Sequence, residues 1–292
     1  MADNDNKITR LGDEPSEPPS DAADDREGAP EGPIEGVISN LFDVETPEER
    51  RGLRRGIYLL PNLITTGALF SGFYAIIAAL AGSLEGAAIA IIIAGFLDVL
   101  DGRIARLTNT QSEFGVQYDS LSDLVAFGVA PAVLMFSWVL GDLDKLGWTI
   151  AFLYMACTAL RLARFNTAPD NKVFTGLASP AAAGILATSV WVWVDNFEAS
   201  AGIEMAIPMA VVTVLLALLM VSGVRYYSPK QVNLKGQVPF FYIVAVILLF
   251  ALVFTYPPGI LLGIGIGYAI SGPIWSLLRR RRKIPATGEK SL

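Results

Sequence analysis

The chain has 292 residues, of which 53% are hydrophobic and 17% charged, and its mean hydropathy is +0.49. These values indicate a membrane protein, and we expect no nucleic-acid partner for a chain with a net charge of −6. The sequence has no histidine and only one cysteine. A zinc site built from imidazole or thiolate ligands is therefore excluded.

The first segment, residues 1–49, is rich in Asp, Glu, Pro, Gly and Ser and has few aromatic residues, which predicts a disordered acidic tail in the cytosol. It lacks the basic start and apolar run of a signal peptide. Within it, residues 34–44 carry apolar side chains at helical spacing. This spacing fits a short amphipathic helix on the membrane surface and a transient helix in a linker equally well. We expect residues 50–283 to form the membrane-embedded domain and residues 284–292 a flexible tail.

Apolar segments follow, each near the roughly 20 residues that a helix needs to cross a bilayer. They predict an all-α polytopic membrane protein with about eight transmembrane helices. The segments are 59–81, 86–106, 116–140, 146–165, 179–197, 203–222, 238–256 and 258–278.

Basic residues predict the orientation of these helices. Alternate connections contain nearly all of the Lys and Arg residues outside the tail, whereas the opposite set contains only Lys145. By the positive-inside rule, the basic connections and both chain termini lie in the cytosol. The end of the second segment and the start of the third then face the cytosol as well.

Two pairs of aspartates stand in these apolar segments, where charged groups are rare and costly. On helices, each pair shares a face with small residues. These faces predict an acidic cavity with room for a ligand. One face has Asp98, Asp101, Gly102 and Ala105, and the other has Gly115, Asp119, Ser122 and Asp123.

Oxygen ligands without imidazole or thiolate favour a hard cation. Magnesium and manganese are commonly held by a few carboxylates together with substrate phosphates. Two such ions about 4 Å apart stabilise both oxygens of a phosphoryl transfer. The aspartates therefore predict a substrate that carries phosphate.

The aspartate region resembles the CDP-alcohol phosphatidyltransferase family, whose pattern is D-x2-D-G-x2-A-R-x8-G-x3-D-x3-D. All eight fixed positions match: Asp98, Asp101, Gly102, Ala105, Arg106, Gly115, Asp119 and Asp123. The resemblance implies a six-helix core plus two helices, a homodimer, and attack by an alcohol on a CDP-linked lipid with release of CMP. It also implies that Asp98, Asp101, Asp119 and Asp123 ligate two Mg²⁺ or Mn²⁺ ions, with Asp123 as the catalytic base.

The resemblance further implies which residues bind the CDP-lipid. Arg106 and Ser112 lie where the family contacts the diphosphate and nucleotide, and Gly102, Ala105 and Gly115 lie under the nucleotide. The run PNLIT at residues 61–65 resembles the start of the family's first helix, so Asn62 and Thr65 are candidate cytidine contacts.

Three other runs, at 159–166, 174–184 and 218–230, are similar to the bacterial branch of the family whose acceptor is L-serine. The resemblance then implies CDP-diacylglycerol and L-serine as substrates and the bacterial inner membrane as the location, with the active site facing the cytosol. Arg161 and Arg164 are candidates for holding the acceptor's carboxylate or a phosphate. Arginines at this position serve equally well as topology markers that reach the membrane surface.

Two alternatives remain open on the sequence. The same chemistry fits another acceptor, namely glycerol 3-phosphate, inositol phosphate or choline. Buried aspartates also fit a transporter coupled to divalent cations or protons. Transporters often contain internal repeats, and the aspartate pattern occurs once in this chain. A metal-dependent release of CMP would distinguish the enzyme from the transporter.

Overall fold

Helices account for nearly all of the residues that the structure, a computed structural model, describes: 47–108, 110–167, 175–197, 202–224, 226 and 240–281. The predicted acidic tail lies almost wholly outside these residues, because the first described helix begins at Pro47. The predicted amphipathic helix at 34–44 and the tail at 284–292 also lie outside them.

Nine α-helices follow one another in the described part of the chain, with one π-helical and one 3-10 turn between them. Their bounds are α1 Pro47–Leu80, α2 Leu84–Leu107, α3 Glu113–Asp123, a π turn at Leu124–Val129, α4 Ala130–Trp138, a 3-10 turn at Leu140–Leu143, α5 Asp144–Thr167, α6 Ser179–Asn196, α7 Ile203–Val221, α8 Phe240–Thr255 and α9 Pro257–Arg281. Because α3, the π turn and α4 are continuous, the helices coincide with the eight predicted apolar segments.

Among the described residues, five helical stretches are long and apolar enough to cross a membrane: Leu60–Leu80, Glu113–Trp138, Leu140–Thr167, Ile203–Val221 and Pro257–Ser276. The described part of the chain is thus helical throughout its regular structure, with several candidate membrane spans, as expected of a polytopic membrane protein. The number of crossings and the cytosolic position of both termini stay predictions.

A seam of small, buried side chains joins α1 to α2. Small side chains let two helix backbones approach closely, which increases their van der Waals contact. Ser71 adds a hydrogen bond across the seam, since its hydroxyl donates to the carbonyl oxygen of Ala90 at 2.8 Å. This close contact fixes the position of α2, which carries two of the four aspartates. The buried alanines of the two helices, among which the seam lies, are Ala75, Ala78 and Ala79 on α1 and Ala87, Ala88, Ala90 and Ala94 on α2.

The π turn at Leu124–Val129 follows directly after Asp123. Such turns are rare and often occur at functional sites. Helix α1 packs against this turn at Gly72, whose missing Cβ would lie 2.7 Å from the Cα of Ala126. On its other side, the buried Tyr154 of α5 donates a hydrogen bond to the carbonyl oxygen of Phe127 at 3.2 Å. The end of the aspartate-bearing helix is therefore held by α1 and α5 together.

A backbone turn before α6 ties the start of that helix to the end of α7. Gly176 has a positive φ of 86°, and a Cβ there would clash with the carbonyl oxygen of Met220. Its N–H donates to Val224, and the N–H of Leu177 donates to Leu219, at 2.8 and 3.0 Å. Glycine is required here by both the backbone conformation and the close approach. The first residue of α6, Ser179, is placed by this turn.

The contact at Gly72 yields a prediction about stability. Gly72→Ala would drive a methyl group into the backbone of the π turn, at 2.9 Å from the Cβ of Ala126. We expect a loss of about 1–3 kcal/mol, typical of overpacking. Gly67→Ala is the matched control on the same helix, because its Cβ would meet Leu97 at an ordinary 3.6 Å. The control should leave stability unchanged or raise it, since alanine favours the helix.

The measurement is the midpoint of thermal unfolding of both variants in detergent. An equal midpoint for Gly72→Ala and the unmodified protein would contradict the close packing of α1 on the π turn.

Candidate active site

Three aspartates from two helices meet inside the helix bundle. Asp98 lies on α2, and Asp119 and Asp123 lie one turn apart on α3. Each of the three offers an oxygen atom, and these atoms all lie within 4.8 Å of one another. The structure thus brings together three of the four predicted metal ligands.

The fourth predicted ligand, Asp101, is the most deeply buried, with 4% of its surface exposed. Its Oδ2 accepts a hydrogen bond of 2.7 Å from the hydroxyl of Thr65 on α1. The charge of Asp101 acts on each of the other three carboxyl groups. A further bond runs from the hydroxyl of Ser122 on α3 to the carbonyl oxygen of Thr65, at 3.2 Å. Helix α1 therefore orients Asp101 and anchors α3 at the same point.

The donor set fits a hard divalent cation. Clustered carboxylates inside a helix bundle repel one another strongly, because little water screens their charges. Arg161 lies close enough to interact electrostatically with Asp123 and Asp98, but a single guanidinium leaves a negative excess among four carboxyl groups. Oxygen atoms from several carboxylates are the ligands that Mg²⁺ and Mn²⁺ prefer. Bound dications would offset the remaining repulsion.

Candidate nucleotide contacts come together around Gly115. A Cβ at this position would lie 3.1 Å from the hydroxyl of Ser112 and 3.4 Å from Oδ1 of Asn62. Ser112 is the N-cap of α3, and its hydroxyl accepts the N–H of Gly115 at 3.0 Å. Glycine at this position lets two polar side chains from different parts of the fold approach the start of α3 closely.

The other predicted CDP-lipid residues have more local contacts. Thr65 is buried, and its hydroxyl lies within hydrogen-bonding distance of two acceptors, the carboxylate of Asp101 and, at 3.0 Å, the carbonyl oxygen of Pro61. The exposed Arg106 donates from Nε to the carbonyl oxygen of Gly102 at 2.7 Å. The carbonyl oxygen of Ala105 accepts the N–H of Thr110 at 3.1 Å. These contacts make Thr65 a support for Asp101 and place Arg106 along the last turns of α2.

The two arginines proposed for the acceptor have different surroundings. Arg161 is partly buried, and its Nη1 donates to the hydroxyl of Ser179 at 2.6 Å. Arg164 is exposed and donates to the carbonyl oxygen of Val221, at the end of α7, at 3.4 Å. Of the two, Arg161 is therefore the one with a described interaction with the aspartates.

Sequence reasoning missed three residues around Arg161. Ser179 accepts its hydrogen bond, and Tyr154 and Tyr268 lie near it. A serine just before Pro180 usually signals a helix start, which gives no hint of a contact with α5. Tyr154 and Tyr268 stand in apolar segments, where a tyrosine has no distinctive signal. These contacts join residues far apart in the chain, so only the folded structure reveals them.

The bond between Thr65 and Asp101 yields a prediction about metal binding. Thr65→Val removes the hydroxyl at nearly constant volume and leaves Asp101 without its partner. We expect about 10-fold weaker Mn²⁺ binding, as for other residues that orient metal ligands. Thr66→Val is the matched control, because the exposed Thr66 bonds to Asn62 and Tyr118 instead. Mn²⁺ titration of the purified protein, followed by electron paramagnetic resonance, measures both. Equal affinities for the two variants would contradict the supporting role of Thr65.

Comparisons with known proteins agree with this site. The CDP-diacylglycerol–serine O-phosphatidyltransferase of Helicobacter pylori strain 26695 is 37% identical over 205 residues, which cover 69% of this chain and 84% of that protein. The enzyme of the same name from Mycobacterium bovis is 36% identical over 167 residues, covering 50% of this chain and 57% of that protein. The archaetidylserine synthase of Methanothermobacter thermautotrophicus is 35% identical over 170 residues, covering 57% and 69%.

A broader match covers most of the helical region. Residues 58–270 fit the sequence profile described as CDP-alcohol phosphatidyltransferase, and they include all four aspartates of the site. This match spans more than half of the chain. The relatives named above are 35–37% identical to it. The chain therefore belongs to the CDP-alcohol phosphatidyltransferase family and is a transferase.

Proposed function

We propose that the protein transfers the phosphatidyl group of CDP-diacylglycerol to the hydroxyl of L-serine, giving phosphatidylserine and CMP. The observation that carries this proposal is the meeting of Asp98, Asp119 and Asp123 within 4.8 Å, in a chain whose relatives are named for that reaction. The family membership favours this activity over a cation-coupled transporter, since the aspartates belong to the family's transferase motif.

The CDP-diacylglycerol headgroup is bound on the side of α1 and the start of α3. The start of α3 at Gly115, where Asn62 and Ser112 lie close together, receives the nucleotide. Arg106, exposed near the end of α2, is available to the diphosphate. The acyl chains stay in the bilayer while the headgroup reaches the aspartates. This arrangement presents the phosphorus atom next to the lipid glycerol to the acidic cluster.

Asp123 accepts the proton of the attacking hydroxyl. The serine oxygen forms a bond to the phosphorus that carries the diacylglycerol, the bond from that phosphorus to the CMP oxygen breaks, and CMP leaves with the electron pair. Asp123 is suited to this role because it lies at the end of α3, within the acidic cluster and near Arg161, where a bound acceptor would meet it. No covalent intermediate with the protein is required.

Asp98, Asp101, Asp119 and Asp123 would hold two divalent cations, Mg²⁺ or Mn²⁺. When bound, such ions neutralise the non-bridging phosphate oxygens and stabilise the departing CMP. The protein's own contribution is to hold four carboxylates at one place, with Asp101 fixed by Thr65. This preorganisation is the part of the chemistry that α1, α2 and α3 supply.

The acceptor is bound by Arg161. Its guanidinium attracts an anion such as the carboxylate of serine and disfavours a cation, which argues against choline. Glycerol 3-phosphate and inositol phosphate are also anionic, and the support for serine over these two comes from the names of the relatives. We also propose that the protein is a homodimer in the bacterial inner membrane with its active site facing the cytosol. The basic connections and the family resemblance support that arrangement.

The choice of acceptor can be tested directly. Purified protein with CDP-diacylglycerol and Mn²⁺ is given radiolabelled serine, glycerol 3-phosphate, inositol phosphate or choline in separate reactions. We expect label in lipid with serine alone, together with one CMP released for each labelled lipid. Label from a different acceptor alone would refute serine as the substrate while leaving the transferase activity intact.

The base is tested by Asp123→Asn, which keeps the shape of the side chain but cannot accept the proton. We expect kcat to fall by about 10²- to 10⁴-fold, the usual contribution of a general base. CDP-diacylglycerol binding should persist, as measured by protection against thermal unfolding. The control is Asp195→Asn, an exposed carboxylate at the end of α6, which should retain full activity. Unchanged turnover in Asp123→Asn would refute the assignment.

A further inference from the structure

Ser179 is an unusual partner for an arginine. It is the first residue of α6, it has 0% of its surface exposed, and its hydroxyl oxygen accepts Nη1 of Arg161 at 2.6 Å. Because its partner is a guanidinium on another helix, this buried serine does more than cap the start of α6. The bond links α5 and α6 beside the aspartates, at a distance of 18 residues along the chain.

The remaining surroundings of Arg161 make this bond decisive for its orientation. Its Nε is buried and has no hydrogen-bond partner, one of two such side-chain atoms among the residues that the structure describes. A guanidinium is planar and rigid, so a hydrogen bond at Nη1 restricts the rotation of the whole group. Among the other neighbours, Asp123 and Asp98 attract Arg161 through their charges, and Tyr154 and Tyr268 lie near it. Such interactions set its position but constrain its rotation weakly.

The frame that holds Ser179 is rigid. Gly176 and Leu177, just before α6, are hydrogen-bonded to the region at the end of α7. Tyr268 of α9, which also lies near Arg161, is packed on the ring of Tyr226 at 5.3 Å, and Tyr226 donates to the carbonyl oxygen of Ala269 at 3.1 Å. Movement of Ser179 alone would require breaking this frame.

Arg161 lies on a different helix from the candidate nucleotide contacts. Asn62, Ser112 and Gly115 belong to α1 and the start of α3, whereas Arg161 and Ser179 belong to α5 and α6. The last residue of α3, which is the proposed base, interacts with Arg161. A group bound at Arg161 would thus meet that base from the end of α3 opposite the nucleotide contacts. This is where an attacking acceptor belongs.

We propose that Ser179 is a positioning residue, which fixes the guanidinium of Arg161 for recognition of the acceptor's anionic group and thereby sets the affinity for the acceptor. This inference rests on the proposed function, in which Arg161 binds the acceptor. It goes further by assigning a role to a residue of α6 that touches neither the metal ligands nor the nucleotide contacts in a described interaction.

The test is the kinetics of Ser179→Ala with serine and CDP-diacylglycerol varied separately. We expect KM for serine to rise about 10-fold, the effect of losing one hydrogen bond to a charged group. KM for CDP-diacylglycerol and the Mn²⁺ requirement should stay within about twofold of the unmodified protein. Ser189→Ala is the matched control, because Ser189 lies on the same helix and donates to the carbonyl oxygen of Ile185 within it. It should leave both KM values unchanged.

A double-mutant cycle separates positioning from general support of the fold. If Ser179 acts through Arg161, then Ser179→Ala should have little further effect on KM for serine in an Arg161→Lys background, where the fork geometry is already lost. Ser179→Cys is measured in parallel, because it preserves the volume and offers a weaker acceptor. It should raise KM for serine by less than the alanine variant does, and it serves as the test if the alanine variant does not fold.

Three results would overturn the proposal: an unchanged KM for the acceptor in a folded Ser179 variant, an equal rise in both KM values, or additive effects in the cycle. Failure of the proposed function is distinguishable. If the unmodified protein uses an acceptor other than serine, the serine assignment fails, and the same KM comparison with the acceptor actually used still decides the role of Ser179.

Discussion

Four carboxyl groups share a small volume between helices, and their mutual repulsion is the constraint to which the surrounding structure responds. A charge removed from water into a helix bundle loses hydration worth several kcal/mol, and like charges nearby add to this cost. Three features lower this cost. The hydroxyl of Thr65 donates a hydrogen bond to Asp101, the guanidinium of Arg161 lies near Asp98 and Asp123, and the carboxylate oxygens are close enough together for cations to bind. An apolar core at this position would be more stable. The protein therefore maintains the cluster for its chemistry.

The helices around the cluster hold its carboxyl groups in position. The alanine seam between α1 and α2 brings Thr65 within reach of Asp101. The π turn after Asp123 is held by Gly72 on one side and Tyr154 on the other. A carboxylate held in this way loses little further conformational freedom when a ligand binds. Preorganisation of this kind is a main source of the catalytic power of enzymes that transfer phosphoryl groups.

Local features of the site could be predicted from the sequence. Helical periodicity places Asp98 beside Asp101 and Asp119 beside Asp123, and the apolar segments predict the helices that carry them. The π turn at Leu124–Val129 could not be predicted, because it depends on packing against α1 and α5 rather than on its own residues. Ser179 was missed for a related reason, since its partner lies on another helix. Contacts between distant segments are set by the tertiary structure, and a single sequence carries little record of them.

If α2 and α3 form one site for divalent cations and a nucleotide diphosphate, anomalous diffraction from crystals grown with Mn²⁺ and CDP-diacylglycerol will show it. We expect two manganese peaks at the carboxyl groups of Asp98, Asp101, Asp119 and Asp123, with the nucleotide at Gly115. Nucleotide density without manganese at these carboxylates, or carboxylates that point away from one another, would contradict it.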